Sequence, residues 1–312
     1  MLEYDNKNIF AQICAQGREM SILLCDSNCE LWFERAKELK LDYISMPYCY
    51  GDEEYGYDLG ENTDFKKFYT AVRGGVIPKT MALNPENYKE ILTPYFKAGE
   101  DVLYISFSHA MSGTFAQLDK ALEELKEEFP ERKCTVFNTN SISLGAGIQV
   151  EAAAELKLKG ATDSEILEFL KDFTHRIAVY FVVDDLMHLK RGGRLSAGAA
   201  VAGTLLSIKP IISVSADGGL NVYAKALGRK KAMRTLADKV INELTGTEYS
   251  VYIVDADCKE DGDELERMIK KGRPEAKTVR QIVGPVIGSH CGPGTLGVIF
   301  VADKRPIPLE KK

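Results

Sequence analysis

The stretch 101–114, DVLYISFSHAMSGT, indicates the fold class of this chain of 312 residues. Residues 101–107 form a continuous apolar run that is typical of a buried strand, and residues 108–114 have the small polar residues of a turn. Residues 115–129 continue with the charged, amphipathic spacing of a helix. The stretch therefore predicts a strand, a turn and a helix in immediate succession.

The same alternation recurs along the first half of the chain. Apolar runs at 21–25 and 135–137 are each followed by turn-forming residues and then by helical spacing, at 31–39 and 144–158. Strands that alternate with helices favour a parallel sheet covered by helices. Residues 76–84 (VIPKTMALN) show neither the spacing of a helix nor the alternation of a strand, so they are predicted to form a loop.

After residue 175 the pattern changes. Two strands are predicted at 209–214 and 220–226, and the Asp217-Gly218-Gly219 turn between them indicates an antiparallel hairpin. We therefore predict an N-terminal, Rossmann-like α/β domain with a parallel sheet, residues 1–174. Residues 175–312 are predicted to form a second α/β domain with a mixed or antiparallel sheet and helices.

The composition excludes several classes of protein. The 46 Asp and Glu outnumber the 40 Lys and Arg, and the net charge of -6 argues against a general nucleic-acid binder. No run reaches the roughly 18 uncharged apolar residues of a membrane helix, and the first ten residues lack the apolar core of a secretory signal. The seven cysteines suggest no disulfide framework, so the cytoplasm is the expected location.

The turn at 108–114 is the first candidate ligand site. Helix N-terminal amides, the hydroxyls of Ser112 and Thr114, and the positive end of the helix dipole converge there. Such an arrangement suits a carboxylate or a phosphate. Simple capping of the helix by Ser112 or Thr114 explains the same residues, and both interpretations stay open.

A glycine-rich loop at 282–297, IVGPVIGSHCGPGTLG, is the second candidate. Its glycines allow the backbone to approach a ligand closely, and His290 is its only imidazole. A tight connection between two strands is the alternative. One cysteine beside one histidine does not supply the four ligands of a zinc site, so no metal is expected.

Two clusters of cations are further candidates. Lys190, Arg191 and Arg194 flank a glycine pair, and the apolar run of small residues at 195–206 that follows predicts a helix that is buried or walls a cavity. Arg229 opens another helix with basic residues, where the helix dipole opposes cations. For both clusters, a solvated helix terminus is the alternative to binding of an anion.

The sequence contains no Walker A motif, no GxGxxG after a strand, no HExxH and no GxSxG. Common nucleotide-binding and hydrolytic sites are therefore not expected. Ser112 and His290 nevertheless supply the residue types of a nucleophile and its base. A serine hydrolase or acyltransferase that uses this pair is thus an alternative function.

Taken in order, a series of short motifs between residues 21 and 302 resembles the DegV family of fatty-acid-binding proteins. The motifs are Cys25-Asp26-Ser27, Pro78-Lys79-Thr80, Met111-Ser112-Gly113-Thr114, KRGGRLS at 190–196, Ile208-Lys209-Pro210-Ile211, Gly228-Arg229-Lys230-Lys231 and GPVIGSHCGPG at 284–294. The ordered series is far more specific than any one motif.

The resemblance implies two α/β domains with one long-chain fatty acid, such as palmitate or oleate, held between them. It implies that Thr80, Ser112 and Gly113 bind the carboxylate near His290. The bound acid would be the ligand, with no cofactor and no metal. A regulatory module that binds another small anion is a further alternative.

The resemblance also implies a non-catalytic carrier for lipid metabolism or transport, which presents its acid to a fatty acid kinase. Arg194 and Ser289 would then lie near the head group or its phosphate, and Arg229 would face the kinase. The chain departs from the family pattern at 81–84 (MALN), where Ser-Gln-Pro-Ser is typical, and at Cys291, where a Thr is usual. These departures bear on acyl-chain preference and on the partner surface.

Overall fold

The computed structural model describes residues 21–195 and 208–306. Within them the chain forms a four-stranded sheet, a six-stranded sheet and a small three-stranded sheet, all associated with helices. The predicted apolar helix at 195–206 lies, apart from Leu195, outside the described residues. No helix of the described ranges is both long and apolar enough to cross a bilayer.

The elements follow one another in an alternating order. The strands are β1 (Ile22–Asp26), β2 (Asp42–Ile44), β3 (Pro47–Tyr50), β4 (Glu53–Gly56), β5 (Lys79–Thr80), β6 (Val102–Ser106), β7 (Cys134–Asn138), β8 (Ile177–Val182), β9 (Ile208–Val214), β10 (Leu220–Leu227), β11 (Val251–Asp255), β12 (Thr278–Ile282) and β13 (Leu296–Val301). The helices are α1 (Phe33–Glu38), α2 (Phe65–Arg73), α3 (Pro85–Lys97), α4 (Thr114–Glu128), α5 (Leu144–Leu158), α6 (Asp163–Phe173), α7 (Met187–Arg191), α8 (Arg229–Glu243), α9 (Lys259–Gly272) and α10 (Pro285–Cys291).

The four-stranded sheet is parallel throughout and has the order β2-β1-β6-β7. Its central strand β6 is buried at every position, as expected for a continuous apolar run in a parallel sheet that is covered on both faces. All four strands end at one edge, so the turns after β1, β6 and β7 come together there. This edge is where parallel α/β sheets bind ligands.

The six-stranded sheet is mixed and has the order β10-β9-β8-β13-β11-β12. The predicted hairpin forms β9 and β10, and only β11 and β12 pair in parallel. The central strands β8 and β13 are fully buried, because both faces of the sheet are covered. Together the two sheets confirm the predicted α/β class.

A third, antiparallel sheet of order β4-β3-β5 was not expected from the sequence. Residues 76–84, predicted as a loop, contain the two-residue strand β5, in which Thr80 pairs with Tyr48. So short a strand has no period that a sequence pattern can reveal. The pairing fixes the backbone of Thr80 beside β3.

Helix α5 lies between the two large sheets and contacts β6 on one side and β8 and β13 on the other. Small residues are required there, and Ala and Gly occupy most of its buried positions. A Cβ at Gly145 would lie 2.7 Å from Val179 Cγ2, and a Cβ at Gly147 would lie 2.5 Å from the carbonyl oxygen of Cys29. The absence of these two side chains lets α5 approach the mixed sheet at Gly145 and the turn after β1 at Gly147.

The main apolar core is continuous across both large sheets. It includes Leu24 and Ile105 from the parallel sheet and Phe181 and Ile299 from the mixed sheet. A second core covers the opposite face of the mixed sheet, beneath α8 and α9. The division of the chain into domains at residue 174 stays a prediction.

We predict that Gly147→Ala lowers the free energy of unfolding by about 1 to 3 kcal/mol, because the new methyl group overlaps a backbone carbonyl that cannot move cheaply. Alanine is otherwise the better helix former, by about 1 kcal/mol, so helix propensity alone predicts the opposite sign. Equilibrium urea unfolding measures the change. Gly113→Ala is the control, because a Cβ there meets no atom within 4 Å. A Gly147→Ala protein as stable as the wild type contradicts the tight packing of α5.

Candidate functional site

A cavity lies between the edge of the parallel sheet at which its strands end and one face of the mixed sheet. It encloses about 890 Å³ of space not occupied by protein atoms, a volume that includes open solvent at its mouth. Most of its lining is apolar and comes from both sheets and α10. Among the lining residues are Met46, Phe107, Ile142, Val179, Phe181, Val254, Val286 and Ile299.

Four of the predicted site residues line this cavity: Thr80, Ser112, Arg194 and His290. They come from β5, from the turn before α4, from the segment after α7, and from α10. The topology therefore brings together residues that are up to 210 positions apart in sequence.

The Thr80 Oγ1 and His290 Nε2 atoms are 2.9 Å apart and form a hydrogen bond. Burial lowers the pKa of the His290 imidazole to about 4, and the positive charge of Arg194 acts in the same direction. The ring is therefore neutral at pH 7, with one nitrogen as donor and the other as acceptor. When Nε2 donates to Thr80, the Thr80 hydroxyl proton is available to another acceptor.

The other nitrogen of the His290 ring packs closely against the backbone of Gly192. Its Nδ1 atom is buried without a hydrogen-bond partner in the described part of the chain. Gly192 packs against this nitrogen so closely that a Cβ at position 192 would overlap the ring. Glycine is thus needed at position 192, within the basic motif at 190–194, because a side chain there would clash with the His290 ring.

Arg194 is a half-buried cation whose hydrogen bonds to the described part of the chain all go to carbonyl groups. Its Nε donates to the carbonyl oxygen of Met111 at 3.0 Å, and its Nη1 donates to that of Gly192. No carboxylate of the described ranges forms an ion pair with it, and burial lowers its pKa. A desolvated guanidinium without a counter-charge attracts an anion into the cavity.

Ser112 lies beside Arg194, next to the carbonyl that Arg194 bonds. Among the described residues, its Oγ accepts only a long hydrogen bond, 3.4 Å, from the amide of Thr114, so capping makes little use of this hydroxyl. Gly113 is exposed and lines a polar depression that shares Ser112 and Arg194 with the cavity wall. The depression therefore adjoins the polar end of the cavity.

Thr114, the other hydroxyl of the turn, has a different place. Its Oγ1 is buried, accepts from the amide of Leu83 at 3.2 Å and lies 2.9 Å from the hydroxyl of Tyr88. It therefore fixes the segment after β5 to α4. The turn contributes one hydroxyl to the cavity, where the sequence offered two.

Two predicted residues have partners inside the fold. The Ser289 hydroxyl donates to the carbonyl oxygen of Pro285 at 2.7 Å, and Ser289 is not among the described residues that line the cavity. The Arg229 guanidinium is only 19% exposed and pairs with Asp261 at 2.7 Å, which ties α8 to α9. Their predicted roles, near the head group and at a partner surface, stay predictions.

The segment at 282–297 is not the loop that its glycines predict, because seven of its residues form α10. Pro285 stands at the first turn, and Gly292, with φ 74°, ends the helix. Proline at a helix start and glycine after its end are recognised signals, which the glycine content obscured. His290 is thus held on a helix.

Sequence reasoning missed several polar residues that shape the site. Asn28 and Ser143 line the cavity, and Asp26 connects the turns after β1 and β6. The buried Asp26 carboxylate accepts from the Tyr104 hydroxyl at 2.8 Å and from the amide of Phe107 at 3.0 Å. No three His, Cys, Asp or Glu side chains within 21–195 and 208–306 are placed to hold a metal ion.

Comparison with known proteins gives the family. The model described as "Uncharacterised protein, DegV family" matches residues 22–303. The chain belongs to the DegV family. A DegV domain-containing protein of Clostridium perfringens is 35% identical over 285 residues, which are 91% of this chain and 98% of that relative. Another DegV domain-containing protein, from Lactococcus lactis, is 31% identical, over 90% of this chain and 98% of that relative.

Solved DegV structures share the architecture. A DegV lipid binding protein of Thermotoga maritima has a TM-score of 0.77 at 26% identity, over 92% of this chain and 99% of that one. DegV of Bacillus subtilis, described as a fatty acid binding protein, has a TM-score of 0.76 at 25% identity, over 92% and 100%. The two sheets and their order of elements are therefore those of a DegV protein.

We predict that an NMR titration of this DegV protein gives His290 a pKa of about 4, well below its ordinary 6.5. Arg194→Met should raise that pKa, because removal of a nearby cation favours the protonated ring. Since the pKa in the unfolded chain is higher, the stability due to neutral His290 is complete above about pH 6.5 and is lost as the pH falls toward 4. A midpoint at or above 6.5 contradicts the buried placement of the ring.

Proposed function

We propose that this DegV protein binds one long-chain fatty acid, with the acyl chain in the cavity and the carboxylate beside Thr80, Ser112 and Arg194. The observation that carries the proposal is an apolar cavity that ends at two hydroxyls and a guanidinium, for which residues 21–195 and 208–306 provide no counter-charge. The family supports it, because relatives from Bacillus subtilis and Thermus thermophilus are described by their fatty acid binding.

The acyl chain supplies most of the affinity. A chain of about 15 methylenes gains roughly 0.8 kcal/mol for each one buried, or about 12 kcal/mol before the costs of association. The wall offers side chains such as Val179, Phe181 and Ile299, which have no polar groups to leave unpaired. Gly297, on the same sheet face, adds no side chain and leaves the cavity open beside Phe181.

The polar end selects and orients the carboxylate. His290 is neutral at pH 7, and in the tautomer that donates through Nε2 it leaves the Thr80 hydroxyl free to donate to a carboxylate oxygen. Ser112 provides a second donor from the opposite segment, and each charge-assisted hydrogen bond contributes roughly 1.5 to 3 kcal/mol. Arg194 compensates the charge without the bidentate pair that would hold the acid most tightly.

We further propose a cytoplasmic, non-catalytic carrier that presents the carboxyl group to a fatty acid kinase for lipid metabolism or transport. The depression lined by His109, Gly113 and Arg194 adjoins the polar end and gives an outside partner access to it. A serine hydrolase is less well supported for two reasons. His290 Nε2 bonds the hydroxyl of Thr80 and not that of Ser112. In addition, the His290 pKa of about 4 is too low for a general base at pH 7. Loss of ester turnover in Ser112→Ala would favour the hydrolase instead.

We predict that the purified protein carries fatty acid. Extraction with organic solvent and mass spectrometry should recover about one long-chain acid per chain, and the stripped protein should bind added palmitate or oleate. Recovery of none, together with no binding of either acid, contradicts the proposal. A different stoichiometric anion in the extract would identify a binder of another ligand class.

We predict that Thr80→Val and Ser112→Ala each weaken fatty acid binding by about 1 to 3 kcal/mol, or about 5- to 150-fold, because each removes one donor to the carboxylate. Titration calorimetry on the stripped protein measures the dissociation constant. Thr278→Val is the matched control, since the hydroxyl of Thr278 bonds Glu266 and neither residue lines the cavity. Unchanged affinity with lowered stability in Ser112→Ala would make Ser112 a helix cap only.

A further inference from the structure

Glu30 is a fully buried carboxyl group near the cavity. It follows the turn after β1 and forms no ion pair with any described Lys, Arg or His. Instead, one carboxyl oxygen bonds the hydroxyl of Ser143, and the other accepts from the amide of Gly284 at 2.5 Å. A buried carboxyl without a cation is costly, so this placement calls for a reason beyond stability.

The two partners belong to opposite walls of the cavity. Ser143 lines it directly, at the start of α5 and at the edge of the parallel sheet. Gly284 immediately precedes α10, which contributes Val286 and His290 to the other wall. The backbone carbonyl of Glu30 also accepts from the Gln281 side chain at 2.5 Å, so one residue connects the β1 turn to both sides.

The backbone around this link is fixed. Glu30 and Ser143 have φ of 54° and 50°, a region that non-glycine residues occupy only where their surroundings hold them there. Gly284 packs against the Tyr57 ring, where a Cβ would lie 2.4 to 2.6 Å from ring atoms. Neither partner can shift without disturbing the cavity wall to which it belongs.

We propose that Glu30 is a positioning residue for the cavity. Its two side-chain hydrogen bonds hold the turn at Ser143 and the start of α10 at a fixed separation. At that separation His290 reaches Thr80, and the two walls of the cavity can both contact a ligand. The inference rests on the proposed binding of a fatty acid. It adds a residue that does not touch the ligand but sets the geometry of those that do.

The link works with a neutral side chain. Burial raises the pKa of Glu30 to about 8, so it is largely protonated at pH 7. The titratable groups that face it, Tyr57, Tyr69 and Cys291, also have pKa values raised by burial and are uncharged. A protonated Glu30 still accepts from Gly284 through one oxygen and donates to the Ser143 hydroxyl through the other.

Glu30→Gln and Glu30→Leu test this directly. The glutamine amide reproduces both hydrogen bonds, with its oxygen toward Gly284 and its nitrogen toward the Ser143 hydroxyl, whereas leucine fills similar space and makes neither. For stripped protein titrated with palmitate at pH 7, Glu30→Gln should bind within about threefold of the wild type. Glu30→Leu should bind at least tenfold more weakly per folded molecule, with a shifted His290 NMR signal.

Thr174→Val is the control for general destabilisation, because it removes a buried hydrogen bond to the Thr139 carbonyl and Thr174 does not line the cavity. It should lower stability and leave the palmitate affinity unchanged. Wild-type affinity in Glu30→Leu, or equal weakening in both Glu30 variants, overturns the positioning role while the proposed function stands. A wild type that binds no fatty acid overturns the proposed function itself.

A second measurement needs no variant and covers the case in which Glu30→Leu does not fold. Hydrogen exchange of the Gly284 amide in the wild type reports directly on its bond to Glu30. Palmitate should slow this exchange at least tenfold more than that of the Ala302 amide, which bonds Arg176. Equal slowing of the two amides overturns the proposal.

Discussion

The packing of α5 between the two large sheets is the constraint on which the site depends. Gly145 and Gly147 let the helix approach the mixed sheet and the β1 turn, and its small residues fill the space between the sheets along its length. Ile142 and Ser143, which immediately precede α5, line the cavity at the N-terminal end of this helix. The same close packing that builds the core thus leaves a partly enclosed apolar space at the edge of the parallel sheet, where turns with polar residues converge.

The electrostatics of the polar end follow from this enclosure. Burial keeps His290 neutral and Glu30 protonated at pH 7, so neither contributes a charge, while Arg194 stays a cation without a carboxylate partner in the described ranges. The net result is one positive charge at the end of an apolar cavity. A molecule with one negative charge and a long apolar body complements both features.

Much of the fold was predictable, because β6 is a continuous apolar run, α4 has an amphipathic helical period, α5 is rich in alanine and the β9–β10 turn has an unambiguous signal. The strand β5 and the helix α10 were not predictable. A strand of two residues is too short to show an alternating pattern, and the glycines around α10 obscured its helix signals. Thr80, Ser112, Arg194 and His290 were each ambiguous alone, and only the topology brings them to one cavity. Glu30 looks like any surface acid in the sequence, because nothing local marks its burial beside Ser143 and Gly284.

A crystal structure of the protein with bound palmitate directly tests the binding mode proposed for the fatty acid. We predict that the carboxylate lies within about 3.2 Å of both Thr80 Oγ1 and Ser112 Oγ and that the acyl chain runs along the mixed-sheet face past Phe181 and Gly297. A palmitate in the reverse direction, with its methyl end at His290, or one bound outside the cavity would contradict it.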